Sequence, residues 1–145
     1  MRVLLQRVTS AAVHVNGECV GEIQNGLVAL LGIGHDDCKA SADWLADKIS
    51  ILRIFEDENG KTNLSAQDIG GNLMVISQFS LYADCRKGSR PGFSDAAPPA
   101  KAMELYTYFL EACRKYFPNL QHGIFGADMK LSLTNDGPFT VLLER

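Results

Sequence analysis

Two Asn-Gly steps, Asn16-Gly17 and Asn25-Gly26, do most to limit how this chain folds. An Asn-Gly pair favours the positive φ of a tight hairpin turn, and a helix runs through one only at a cost. The apolar residues around them are therefore expected in short strands. Leu4–Val8 and Val13–Asn16 have strand composition and lead into the first turn. The second precedes the run from Leu27 to Gly34, LVALLGIG, which is unbroken apolar sequence and looks buried.

The remainder alternates between the two periodicities. Asp36-Asp37 offers helix caps. Ala42, Leu45, Ala46, Ile49 and Leu52 then fall at helical spacing, with Asp43, Asp47 and Lys48 opposite. Arg53-Ile54-Phe55 is strand-like, and the turn Asp57-Glu58-Asn59-Gly60 precedes Lys61. Gly71–Leu81 is apolar and β-rich, and a Gly/Ser/Pro-rich loop follows from Ala83 to Pro98. Pro99 can open a second helix, in which Met103, Tyr106, Leu110, Cys113 and Phe117 form one apolar stripe before Pro118 and Asn119 stop it. Ala127–Thr134, a turn at Asp136-Gly137-Pro138 and a strand at Phe139–Leu143 close the chain. No repeat or linker interrupts it. The expectation is a single α+β domain over residues 1–145, with an antiparallel sheet and two main helices.

Composition narrows the function. At 145 residues, 46% hydrophobic and 21% charged, the chain can enclose a core and is globular rather than disordered. It has no uncharged apolar run near the roughly 18 residues of a membrane span. Arg2, Gln6, Arg7 and His14 interrupt the opening segment, which lacks the apolar stretch of a signal peptide, so the expected compartment is the cytoplasm. Cys19, Cys38, Cys85 and Cys113 form no CxxC pair, and His14, His35 and His122 stand far apart, so neither a metal site nor another cofactor is expected. A net charge of −3 speaks against gripping long stretches of nucleic acid, and no DNA partner is expected. It leaves room for a protein that touches only the tip of an RNA. The compact basic cluster Arg86, Lys87 and Arg90 is either a solvated loop or a set of phosphate contacts.

Two polar segments break otherwise apolar strands. Ser77-Gln78-Phe79-Ser80-Leu81 places hydroxyl and amide groups at a strand end. These groups either serve a site or satisfy neighbouring backbone. No histidine or acid adjoins Ser77 or Ser80 to activate a serine nucleophile. Asn135-Asp136-Gly137-Pro138-Phe139-Thr140 reads structurally as a hairpin turn. It reads functionally as a Gly-Pro step, cis where geometry demands it, with a rigid surface free of side chains.

Along nearly its whole length the chain resembles the D-aminoacyl-tRNA deacylases. Leu5-Gln6-Arg7-Val8, Arg53-Ile54-Phe55, Gly60-Lys61, Asn63-Leu64, Gly70-Gly71, Arg90-Pro91, Phe93-Ser94 and Ala127-Asp128-Met129 all carry the likeness. NDGPFT fits the family's NxGPxT signature at every fixed position, and SQFSL fits SQFTL except at Ser80, where threonine is usual. The resemblance implies a homodimer on a compact, barrel-like α+β fold with two active sites at the interface. Ser77, Gln78, Phe79 and Ser80 would line the catalytic pocket. Gly137 and Pro138 of the other subunit, held by Arg7 and flanked by Asn135 and Thr140, would form the substrate-binding wedge. Arg86, Lys87 and Arg90 would contact the acceptor stem, and Phe79 would pack near the terminal adenosine unless it is simply core. The implied partner is the 3′ acceptor end of aminoacyl-tRNA, and the implied reaction is hydrolysis of D-aminoacyl esters, with glycyl-tRNA also accepted. Two alternatives remain open here: an L-alanyl-tRNA proofreader with a trans Gly-Pro step, and a non-catalytic nucleic-acid-binding dimer.

Overall fold

A computed structural model describes all of residues 1–145. The first strand, β1 (Arg2–Val15), is longer than the two short stretches its composition suggested, and it organises the sheet. Asn16 and Gly17 both adopt positive φ (51° and 85°), and the chain folds back as β2 (Glu18–Ile23). This is the two-residue turn expected there.

The second Asn-Gly step behaves differently. β2 and β3 (Gly26–Gly32) both run antiparallel to β1, β2 along Ala11–Val15 and β3 along Arg2–Val8. The chain therefore bends at residues 24–25 without reversing. A Cβ on Gly26 would stand 2.1 Å from the Asn72 carbonyl oxygen, so glycine is required there by close approach of another strand. That strand is β6 (Asn72–Ser77), which pairs parallel with β3, and the short β7 (Gln121–His122) pairs parallel with β6. β8 (Met129–Glu144) runs antiparallel along the other edge of β1. The sheet is thus mixed rather than wholly antiparallel. It curls until β2 meets β7, where a Cβ on Gly21 would lie 3.4 Å from the His122 carbonyl oxygen, and this nearly closes the barrel. A separate hairpin joins β4 (Arg53–Glu56) to β5 (Thr62–Ser65).

The unbroken apolar character of β3 has a direct cause. Leu27, Ala29 and Leu31 pack on the helix side of the sheet, while Val28 and Leu30 face a second cluster inside the curl with Val8, Val13, Met74 and Ile76. Both faces are covered, so no position in the strand is polar. On the helix side lie α1 (Lys39–Ile51) and α2 (Pro99–Arg114). α1 buries Ala42, Leu45, Ala46 and Ile49 as its spacing foretold. α2 begins at Pro99 as expected but presents a broader stripe, with Leu105 and the fully buried Phe109 added, while Met103 is 56% exposed. Tyr108 of α2 and Tyr116 just beyond its end donate their hydroxyls to Asp43 and Asp47 of α1 and fasten the helices together.

Asp37 does not cap α1. The residue before the helix is Cys38, and its side chain makes no capping bond to the helix amides. Asp37 is buried and accepts hydrogen bonds from the Gly34 amide (2.6 Å), the Tyr82 hydroxyl (3.3 Å) and the amino group of Met1. A nearby loop amide and two donors from distant parts of the chain have outcompeted the helix amides. The four cysteines are unpaired, no helix is long and apolar enough to cross a membrane, and no three His, Cys, Asp or Glu side chains are placed to hold a metal ion.

Candidate active site

The NDGPFT segment is not a hairpin turn. Residues on both sides of it pair with the same strand in the same sense: Asn135 lies opposite Val8, and Thr140 opposite Gln6. Only Arg7 separates the two partners on β1, whereas residues 136–139 separate Asn135 from Thr140 on β8. The surplus residues are extruded as a bulge, after which the strand resumes. Gly137 and Pro138 are exposed at its crest, Gly137 has φ +119°, and the bond between them is cis.

The bulge is braced from within. Asn135 accepts from the Phe139 amide (2.8 Å) and donates from Nδ2 to the Thr140 hydroxyl (2.8 Å). Asn135 and Thr140 thus spend these groups on the shape of the bulge. Arg7 is only 6% exposed and fills the space beneath. Its Nη1 donates to the Ile54 carbonyl (2.7 Å), and its Nε donates to the Asp136 carbonyl (3.1 Å) and faces that residue's carboxylate (3.2 Å). The guanidinium lies 5.1 Å from the centre of the Phe139 ring. A charge removed from water persists only with partners of this quality. Five residues singled out from the sequence, Arg7, Asn135, Gly137, Pro138 and Thr140, therefore converge on one rigid protrusion.

The SQFSL segment forms the second cluster. β6 ends at Ser77, and the Gln78 amide makes a last bond to the Leu31 carbonyl (2.7 Å). Gln78 (φ −145°, ψ 77°) then directs the chain into a 3-10 turn, Phe79–Tyr82. The first bond inside that turn runs from the Leu81 amide to the Gln78 carbonyl (3.3 Å). The amides of Phe79 and Ser80 precede it and have no acceptor within the turn. The Gln78 side chain donates to the Ser80 hydroxyl (2.5 Å), so this oxygen is engaged by an amide rather than by a base. Phe79 is 61% exposed, which excludes a core role, and meets Phe93 edge-to-face with ring centres 4.9 Å apart. Tyr82 closes the turn; burial, followed by the neighbouring Asp37, pushes its hydroxyl up to about 12.

The basic loop stands beside this turn. Two backbone bonds between Asp84 and Gly92 (2.7 and 2.9 Å) pin its base, and His35 Nε2 lies 2.8 Å from the Ser94 carbonyl oxygen. Arg86 makes paired hydrogen bonds to Asp84 (2.8 Å each), which hold the Asp84 carboxyl down at about 2. Lys87 and Arg90 are exposed and enter no ion pair. Phe93 and Asp84 were not foreseen, because their roles depend on a ring and a loop base that meet them only in the fold.

Within one protomer the two clusters do not meet. Arg2 of β1 reaches the Leu81 carbonyl at one cluster, and Arg7 of β1 reaches Asp136 at the other. Five residues of extended strand separate them, about 16 Å. Two surface hollows of about 280 and 290 Å³, one beside Ser10 and Thr134 and the other beside Gln67 and Pro118, include no residue of either motif.

Residues 4–144 match the model of the D-Tyr-tRNA(Tyr) deacylase family. The chain belongs to this family. Among similar deacylases are the D-aminoacyl-tRNA deacylases of Thermosipho africanus, 55% identical over 99% of this chain and 97% of that protein, and of Rhodopirellula baltica, 55% identical over 99% of each. Of solved structures, one named c-Myc DNA Unwinding Element Binding Protein superposes with a TM-score of 0.95 at 39% identity, covering 100% of this chain and 99% of that one. Another, described as a probable eukaryotic D-amino acid tRNA deacylase, superposes at 0.80 with 18% identity over 98% of this chain and 97% of that one, a likeness of fold. Within the deacylase family, then, this member carries its two signature segments as a braced protrusion and an amide-bearing turn at separate places on one chain.

Proposed function

We propose that two copies of the chain assemble so that the Gly137-Pro138 bulge of each enters a pocket beside the Ser77–Leu81 turn of the other. Family membership carries the activity itself, hydrolysis of D-aminoacyl-tRNA to free amino acid and tRNA. The observation that bears most on the composite site is that the two motifs attach to β1 at Arg2 and Arg7, five residues of extended strand apart, or about 16 Å. A two-fold axis would unite them and make both pockets equivalent.

The parts suit chiral proofreading. D- and L-esters share their side chains, so a pocket fitted to side chains cannot separate them. A backbone wedge against Cα can, because an L side chain would point into it and collide. Glycyl-tRNA has nothing to collide and should be hydrolysed. Water attacks the ester carbonyl, and the negative charge that develops on its oxygen is received by the Phe79 and Ser80 amides. Collapse breaks the bond to the ribose oxygen, which leaves with a proton. The neighbouring ribose hydroxyl, present in RNA alone, helps to place the water. Ser80 positions and hydrogen-bonds without forming a covalent intermediate. Phe79, exposed beside Phe93, offers a surface for the terminal adenosine, while Lys87 and Arg90, with Arg86 behind its Asp84 pair, face acceptor-stem phosphates. A protein with this substrate works in the cytoplasm.

Complementation between subunits tests the arrangement. Gly137→Ala places a Cβ 2.9 Å from Arg7 Nη2 at a φ unsuited to side chains, and so spoils the bulge. Phe79→Pro removes an amide of the turn. Each homodimer should be inactive on D-tyrosyl-tRNA. Equal mixing with free exchange makes half the dimers mixed, with one intact site each, and should restore about a quarter of wild-type activity. Sites formed within one protomer would give no restoration. Matched D- and L-aminoacyl-tRNA, with glycyl-tRNA as the achiral control, tests selectivity, and preferential loss of L-alanyl-tRNA would instead assign the other proofreading activity.

A second reading comes from the c-Myc DNA Unwinding Element Binding Protein, a name that assigns DNA binding to that protein. The net charge of −3 here disfavours duplex binding. Submicromolar retention of duplex DNA at physiological salt, with D-tyrosyl-tRNA left intact, would select a binding role.

A further inference from the structure

The 3-10 turn that carries the Phe79 and Ser80 amides is held between two groups outside either signature segment. Beneath it lies Gly32, where a Cβ would come within 3.0 Å of Leu81 Cβ, 3.2 Å of the Gln78 carbonyl oxygen and 3.2 Å of the Tyr82 ring. Gly34 continues this floor, and a Cβ there would meet the same ring at 2.8 Å. Over the turn lies Arg2. Its Nη1 donates to the Leu81 carbonyl (2.9 Å), its guanidinium carbon stands 4.5 Å from the centre of the Tyr82 ring, and its Nε pairs with Glu144 of β8 at 2.7 Å. Arg2, Gly32 and Glu144 are partners in one rung across β3, β1 and β8, so the clamp is anchored in three paired strands.

We propose that Arg2, seated opposite Gly32, is a positioning residue for ester hydrolysis: it holds the 3-10 turn so that its two free amides keep a fixed aim at the developing oxyanion. This role rests on the proposed use of those amides. The chemical requirement is geometric. A preorganised donor stabilises the transition state only where it already points, and a displacement of about 1 Å can cost up to a hundredfold in rate. Arg2 is suited to the task because a planar guanidinium can bond a carbonyl, pair with a carboxylate and cover an aromatic ring at once, which an ammonium cannot. The guanidinium is partly exposed and the side chain lies outside the buried core, so its removal perturbs the turn more than the fold.

The test uses Arg2→Ala and Gly32→Ala in the full-length enzyme, with steady-state hydrolysis of D-tyrosyl-tRNA and hydrogen exchange resolved by residue. Both variants should lower kcat about 10- to 100-fold with KM nearly unchanged. Exchange at the Leu81 and Ala83 amides, which bond within the turn, should quicken at least about fivefold, while the amides of α1 and α2 keep wild-type rates. Unchanged exchange at Leu81 and Ala83 in Arg2→Ala overturns the clamp and leaves the role of the amides standing. Faster exchange there with wild-type kcat instead overturns the amide mechanism, since the turn would be loosened without consequence. Faster exchange throughout the molecule overturns the positioning role in favour of a general structural one.

Discussion

Replacing Phe79 by proline deletes one proposed oxyanion donor while leaving the surrounding structure nearly intact. Phe79 is the first residue of the 3-10 turn, and its amide has no acceptor inside the turn. Proline is tolerated at the first position of a helical turn, where the N–H has no partner within the turn and the usual φ is near −65°. The preceding Gln78 has an extended φ and a positive ψ, which suits the residue before a proline. The ring is mostly exposed and touches Phe93 at its edge, so losing it costs about 1 kcal/mol or less. In a domain of this size that lowers the melting temperature by no more than about 2–4 °C. Loss of a single oxyanion donor, by contrast, is worth about 3–4 kcal/mol, or 10²–10³ in kcat. Phe79→Ala supplies the control, since it removes the ring and keeps the amide. Single-turnover hydrolysis of D-tyrosyl-tRNA at saturating enzyme should show Phe79→Pro slower than Phe79→Ala by about two to three orders of magnitude. Equal rates for the two variants would refute the use of that amide.

Four further outcomes are expected. Arg7→Met leaves the Ile54 and Asp136 carbonyls without their donor, which should destabilise the fold by about 2–4 kcal/mol and lower the melting temperature by about 5–15 °C, measured calorimetrically. Ser80→Ala removes one exposed hydrogen bond from Gln78 and should retain kcat within about tenfold, whereas total loss would restore a nucleophilic serine. The depressed Asp84 carboxyl contributes to the folded loop above the ordinary carboxylate range and ceases to do so as pH falls from about 4 towards 2. A carboxyl-carbon NMR titration should therefore place Asp84 near 2, and Arg86→Ala should raise it. Charge reversal at Lys87 and Arg90 should raise KM for aminoacyl-tRNA and flatten its dependence on salt; unchanged KM across salt concentrations would remove the loop from the RNA interface.

Much of this molecule was legible in the order of its residues, wherever the cause of structure was local. The positive φ that Asn16 and Gly17 adopt readily makes a turn in almost any setting. The spacing of Ala42, Leu45 and Ile49 makes a helix with one apolar face, and the unbroken apolar run of β3 marks it as buried. The two signature segments were located through the family resemblance, and it was the resemblance that named Arg7, Asn135, Gly137, Pro138 and Thr140 together before their contacts were visible. Tertiary structure decided the rest, because the partner in each case arrives from a distant part of the chain. Asn25-Gly26 became a bend rather than a reversal because Asn72 lies against it. Asp37 left the helix it was expected to cap because Tyr82 and the amino group of Met1, both distant in the chain, join the neighbouring Gly34 amide as donors. The NDGPFT segment became a bulge because β1 continues to pair with β8 on both sides of it. Arg2 and Gly32 carry no local mark of their role; only the sheet sets them side by side against the turn. Local propensity acts over a few residues, whereas the aim of an amide or the fit of a guanidinium depends on atoms that no short window of sequence contains.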